Sequence, residues 1–263
     1  MYPVLIEISG FKVFTSGVMW FIGCCLAALI LLTISKDKNL SYRLLLRMAI
    51  ACLFGGIIGA RLGYVHLYID YFINNPVEIF KFYEGGMVYY WGFGGGIIGG
   101  LLFWRRRPGW IRVCDIMILS MVPAHVMGRI GCFLHGCCFG LNFEKLPYLE
   151  SLLVRFPVDN FLRHPVQLYS ALGLIVIFII LWQVHKRSDM PGIVTIAYVY
   201  SYAIFRFTIE YLRDDSRGYF VETLSISTSQ GIALLSILLL SVYIIMLRSG
   251  LLPKPEMSEI PSR

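Results

Sequence analysis

The chain has 263 residues, of which 57% are hydrophobic and 15% charged, with a mean hydropathy of +0.71. That balance excludes a soluble globular domain and defines a polytopic membrane protein. The formal charge of +7 does not point to nucleic acid, because the basic residues stand in short clusters between apolar runs, the pattern of cytoplasmic loops.

In chain order, Gly17 to Ser35 is the first apolar run, long enough to cross a hydrocarbon core of roughly 30 Å. No basic segment precedes it and no small-residue cleavage site is evident, so it reads as a retained helix rather than a signal peptide. Lys36, Lys38, Arg43 and Arg47 follow. A second span runs from about Leu44 to Tyr68 and carries Arg61 within G-A-R-L-G-Y; the linker after it, Ile69 to Gly85, is net acidic. The third span, Gly86 to Trp104, is glycine-rich, and since small residues let helix backbones approach closely in lipid, it is expected to be a central, tightly packed helix. Arg105, Arg106, Arg107 and Arg112 come next. The fourth span begins near Val113, carries Asp115 and His125, and ends in G-R-I-G-C-F-L-H-G-C-C-F-G, residues 128–140. Asp115, near the inner end of this span, is expected to act as a helix cap or structural pair.

Residues 141–163 form the longest loop. The fifth span, Val166 to Val184, is entered through H-P-V-Q-L-Y and left through His185, Lys186 and Arg187. The sixth, Gly192 to Leu212, contains R-F-T-I-E-Y, and the seventh runs from Gly231 to Leu247. No internal repeat or soluble domain is evident, so residues 1–263 read as a single membrane-embedded domain. The fold class is an all-α integral membrane protein of seven transmembrane helices. The loops after spans one, three and five are basic, which places the N-terminus outside, the C-terminus in the cytoplasm and the 141–163 loop on the extracytoplasmic face.

This topology puts Arg61, Arg129 and Arg206 in the outer half of the membrane, since each lies about 20–25 Å along its outward-running helix at 1.5 Å per residue. An arginine at membrane depth is costly and marks a functional site by default. Glu210, four residues after Arg206, can pair with it, but one carboxylate does not balance three guanidiniums. Arginine suits bidentate recognition of phosphate. The expectation is therefore a site for a phosphate-bearing lipid head group formed by Arg61, Arg129 and Arg206; the competing reading makes each arginine a pin on helix-end carbonyls.

The cysteines have several readings. Cys24, Cys25, Cys52 and Cys114 lie in apolar helix as small apolar residues. Cys132, Cys137 and Cys138 could be structural, form a disulfide, act as thiol nucleophiles or bind metal with His135. The spacing C-x4-C-C with a lone histidine matches no regular zinc pattern, so no metal and no cofactor are assigned.

Together, G-A-R-L-G-Y, G-G-M-V-Y-Y with its glycine run, the 128–140 block, H-P-V-Q-L-Y and R-F-T-I-E-Y-L-R resemble the prolipoprotein diacylglyceryl transferase family, in the family's order and over nearly the whole chain. The resemblance implies a transferase that moves the diacylglyceryl unit of phosphatidylglycerol onto the lipobox cysteine thiol of a preprolipoprotein and releases glycerol phosphate. It also implies the bacterial cytoplasmic (inner) membrane, with the active site towards the extracytoplasmic face and the preprolipoprotein signal peptide and membrane lipids as partners. Arg129, Arg206, Glu210 and the glycines Gly128, Gly131 and Gly140 match family positions, as does Arg61; Gly136 completes the block. The departures are Cys132, His135 and Cys137, which stand where better-known members carry Asn, Asn and Glu. Ser16 replaces a tyrosine, and Tyr90 or Trp91 replaces a histidine. With that histidine gone, His135 supported by Tyr90 is expected to deprotonate the acceptor thiol, completing a catalytic set of Arg129, Arg206, Glu210, His135 and Tyr90. The alternatives are a related membrane transferase with another donor or acceptor, and a non-catalytic lipid-binding or transport protein.

Overall fold

The computed structural model describes residues 2–8, 11–38, 40–81, 85–142, 152–156, 161–214, 219–221, 223 and 225–251. Each of the seven predicted apolar runs carries a helix: α1 (Thr15–Asp37), α2 (Tyr42–Leu67), α4 (Tyr89–Trp104), α5 (Trp110–His135), α6 (Val166–Arg187), α7 (Ile193–Ile209) and α8 (Thr228–Arg248). A short helix, α3 (Ile69–Asn74), follows α2. Five of these helices, α1, α2, α5, α6 and α8, are long and apolar enough to cross a membrane, while α4 and α7 have 16 and 17 residues. In each of the five spanning windows no more than 33% of the residues are buried within the protein. The rest of that apolar surface needs lipid around it, which makes this an integral membrane protein.

Among the described residues three small antiparallel strand pairs accompany the helices, none of them anticipated from sequence. They are β1 (Val4–Ile8) with β2 (Phe11–Phe14), β3 (Val154–Arg155) with β4 (Leu162–Arg163), and β5 (Tyr219–Val221) with β6 (Ile226–Ser227). The β3–β4 pair belongs to the long 141–163 loop, most of which lies outside the described residues.

The chain divides into two compact units, one of Met1–Ile30 with Cys114–Glu256, the other of Leu31–Val113 with Met257–Arg263. In the second unit α2 and α4 interlock through glycines. A methyl group at Gly59 would lie 2.5 Å from the Trp91 carbonyl and 2.9 Å from the Gly95 Cα, and one at Gly99 would lie 2.5 Å from the Ala51 carbonyl. With no apolar driving force between helices in lipid, such close backbone approach supplies the packing energy, as the glycine run predicts. Beyond α2, α3 and the 3-10 turn Pro76–Phe80 lead back towards α4, and Val88 N–H donates to the Ala60 carbonyl at 3.0 Å.

In the first unit α1 lies against α5 through two glycines. Gly23 faces the Ala124 backbone, where a Cβ would come within 3.0 Å, and Gly131 faces Ser16 and Met19. Leu119 and Val122 of α5, with Leu174 and Leu181 of α6, are buried in the core. Asp115, 6% exposed, caps α7 from α5: its carboxylate accepts the Gly192 and Thr195 N–H groups at 2.7 and 2.8 Å and the Thr195 hydroxyl at 2.6 Å. A carboxylate on orphan N–H groups at a helix N-terminus is favoured by hydrogen bonding and by the helix dipole. The cap thus fixes where α7 starts, and so which of its residues face α5. Further along α7, the Tyr200 hydroxyl pairs with Ser241 of α8 at 2.7 Å.

Candidate functional site

The signature segment begins inside α5 and ends in a tight turn. Gly136 terminates the helix at φ +82°, a left-handed conformation that glycine takes without steric penalty, and Cys138 follows at φ +62°. The turn is held by H-P-V-Q-L-Y at the start of α6. Gln167 Nε2 donates to the Cys137 carbonyl at 2.6 Å. Gly140 N–H donates to the His164 carbonyl at 3.0 Å, and His164 N–H to the Leu141 carbonyl at 3.0 Å. Gly140 also pairs with Arg213, beyond α7. A Cβ at Gly140 would collide with Val166 and with the Leu212 and His164 carbonyls, so three chain segments meet where only glycine fits. Arg163 ties the junction further, donating to Asp214 at 2.6 Å, with its guanidinium 4.5 Å from the Phe139 ring centre.

This junction brings α5, α6 and α7 around a narrow cleft that is partly open to its surroundings. Its walls are His125 and Arg129 from α5, Ser170 and Leu174 from α6, and Tyr202, Phe205, Arg206 and Ile209 from α7, with Arg213 at its end. On each helix these positions fit the i, i+3, i+4, i+7 pattern of one helix face. Arg206 pairs with Glu210 and donates to the Ser229 hydroxyl at 2.7 Å. Glu210 accepts from the Ser227 hydroxyl at 2.8 Å and lies 3.8 Å from Arg213 Nε. One carboxylate therefore serves two arginines. Arg129 is half-buried and makes no hydrogen bond or ion pair among the described residues.

Not every residue expected in the site is placed there. Arg61 is 5% exposed, and its guanidinium is taken up within its own unit. Nε donates to the Ile79 carbonyl at 2.9 Å, Nη1 to those of Gly85 at 2.8 Å and Gly86 at 3.3 Å, and Nη2 to that of Glu78 at 2.5 Å. This is the geometry of a pin on backbone carbonyls, the reading that competed with phosphate binding. His135, the expected base, is exposed at the end of α5 with its ring 6.3 Å from that of Phe14, and it does not line the cleft. The imidazole that does is His125, one turn before Arg129, its ring 5.6 Å from that of Tyr202. Tyr90 lies on α4 in the other unit, 41% exposed and against Tyr89. His125 and Arg213, which the sequence shows without a role, and Tyr202 and Ser170, which no motif singles out, also line the cleft; the i, i+4 relation of His125 to Arg129 is the signal that the sequence offers. Cys132, Cys137 and Cys138 form a separate group whose sulfur atoms lie within 4.8 Å of one another.

The arrangement can hold an anion. Three guanidiniums on one cleft with one carboxylate among them favour a ligand carrying negative charge, and Leu174, Phe205 and Ile209 of α6 and α7 supply apolar walls. Fold and site thus define an integral membrane protein with a cationic, helix-walled cleft. Residues 3–246 match the family described as prolipoprotein diacylglyceryl transferase, and the chain belongs to that family. Among its relatives, the phosphatidylglycerol--prolipoprotein diacylglyceryl transferase of Clostridium tetani is 35% identical over 91% of this chain and 95% of its own length. The enzyme of the same name from Campylobacter hominis is 35% identical over 94% and 92%, and that from Cupriavidus metallidurans 35% over 73% and 71%.

Proposed function

We propose that this transferase moves the diacylglyceryl unit of phosphatidylglycerol onto the cysteine thiol of a prolipoprotein, with the cleft of Arg129 and Arg206 as the phosphate site. The observation that carries the assignment is Arg129: half-buried, on the cleft wall, and without an ion pair or hydrogen bond among the described residues. A cation on the cleft wall offers its donors to an anionic ligand that enters the cleft. In the reaction the sulfur–carbon bond forms at the glyceryl carbon, the carbon–oxygen bond to phosphate breaks, and glycerol phosphate leaves with the bonding electrons. Negative charge grows on the leaving phosphate, so prepositioned guanidiniums stabilise the transition state more than the ground state.

Arg206 is the second phosphate ligand, oriented by Glu210 and Ser229. Glu210, bracketed by Arg206, Arg213 and Ser227, orients rather than reacts. Deprotonation of the acceptor thiol falls to His125, which lines the same cleft, in place of His135. Arg61 is assigned to holding the segment between α3 and α4 rather than to the lipid. The seven helices α1, α2, α4, α5, α6, α7 and α8 each span the bacterial inner membrane, α7 being extended by the turn Glu210–Leu212, with the N-terminus and the cleft mouth towards the extracytoplasmic side. The acceptor presents its signal-peptide helix from the surrounding lipid.

The test is to incubate the purified protein with phosphatidylglycerol vesicles and a lipobox peptide and to read the peptide mass. A gain of one diacylglyceryl unit is expected, with free glycerol phosphate as coproduct. Lipid binding without any lipidated peptide would overturn the proposal in favour of a lipid-binding protein. His125→Gln is expected to slow transfer by about 100-fold or more, while His135→Gln leaves it near wild type; the reverse order would return the base to His135.

A further inference from the structure

The phosphate cleft makes no use of the three thiols at the end of α5. Cys132 stands on the last turn of that helix, and the left-handed pair Gly136 (φ +82°) and Cys138 (φ +62°) folds the following residues back over it. A positive φ is uncommon for a residue with a side chain and persists where its surroundings enforce it. The result gathers the Cys132, Cys137 and Cys138 sulfur atoms within 4.8 Å of one another. Cys137 N–H donates to the Cys132 carbonyl at 3.1 Å and its thiol to the same oxygen at 3.7 Å. The Gln167 side chain that clamps the Cys137 carbonyl is 1% exposed, and its Oε1 is buried with no hydrogen-bond partner among the described residues. An unsatisfied buried amide oxygen costs free energy unless a ligand or its water completes it.

We infer that Cys132, Cys137 and Cys138 form a metal site that takes a thiophilic divalent ion, zinc(II), as three thiolates, with the fourth position open to water or to Gln167 Oε1. Zinc–sulfur bonds of about 2.3 Å in a tetrahedral or trigonal arrangement put sulfur atoms about 4 Å apart. Thiols already within 4.8 Å reach that spacing by side-chain adjustment alone. An all-sulfur set selects against magnesium and calcium, which take oxygen ligands. Binding is an exchange without redox change: three S–H bonds are lost, three zinc–sulfur bonds form, and three protons are released. The product carries one net negative charge, and Arg129, one turn before Cys132 on the same helix, lies on the side that offsets it. A bound ion would cross-link the last turn of α5 to the turn that follows, and so set the end of the helix that presents Arg129.

The experiment uses the full chain purified in detergent under reducing, anaerobic conditions. After incubation with zinc sulfate and desalting, about one zinc per chain is expected by elemental mass spectrometry. In the same wild-type protein, thiol titration is expected to show three of the seven cysteines protected by metal and exposed again by chelator. Cadmium in place of zinc is expected to give a sulfur-to-metal charge-transfer band of three-thiolate intensity. The C132S/C137S/C138S variant is expected to lose all of these signals, whereas C24S/C25S keeps them. No zinc retained by wild type, a cadmium band of one thiolate, or undiminished zinc in the triple variant would each overturn the site.

Discussion

Arg61, Arg129 and Arg206 look equivalent as intramembrane arginines, and their hydrogen bonds separate them. Arg61 spends its donors on four backbone carbonyls, Arg206 is shared between Glu210 and Ser229, and Arg129 faces the cleft. Opposite phenotypes follow. Arg61→Ala leaves buried carbonyls unsatisfied and is expected to cost about 2–4 kcal/mol of stability, seen as a lower midpoint in thermal unfolding of detergent-solubilised protein. Arg129→Lys is expected to unfold at the wild-type temperature but to lose about 100- to 1,000-fold in transfer rate. At Cys137 the sign is also determined. Hydrogen bonds with the Cys132 and Cys138 thiols, and then burial, push its thiol well above the ordinary range. Only the thiolate is nucleophilic, so at a pH near 8.5, where an ordinary cysteine is half ionised, Cys137 stays protonated. Metal-free protein is expected to be alkylated slowly at Cys137, with a rate still rising with pH where exposed cysteines have levelled off; peptide mapping after timed alkylation measures it. For the same reason zinc uptake, which must displace these protons, weakens as pH falls.

Among the elements, the glycines do two different jobs. Gly55, Gly59, Gly95 and Gly99 let α2 and α4 approach backbone to backbone, and Gly95→Leu is expected to prevent that approach and reduce the yield of folded protein in membranes, measured by size-exclusion of the solubilised chain. Gly140 instead sits where the signature turn, the start of α6 and the segment after α7 meet. The helices were legible from sequence because an apolar run of membrane length allows the backbone no other hydrogen-bonding solution in lipid. The tight α2–α4 contact was legible from its glycines for a similarly local reason. The three hairpins were not, because strands of two to five residues have too few positions to show alternation, and their pairing follows from the helix ends they join. The separate jobs of Arg61 and Arg129 were equally hidden. A side chain's depth can be counted along a helix, but its partners come from other helices.

For the whole molecule, the distribution of basic loops predicts an extracytoplasmic N-terminus and a cytoplasmic C-terminus. A fluorescent protein fused after Arg263 is accordingly expected to be fluorescent in intact cells, and an alkaline phosphatase fusion at the same point inactive; active phosphatase there would invert the topology. By itself the sequence determined the membrane class, the helices and the family, since these rest on composition, run length and motifs contiguous in the chain. The tertiary structure decided which charged groups share a cleft, that His125 rather than His135 stands beside Arg129 on its wall, and that three thiols of the signature converge. Those facts depend on how helix faces turn towards one another. That turning is set by contacts such as the Asp115 cap on α7 and the Gly140 junction, which join residues far apart in the chain.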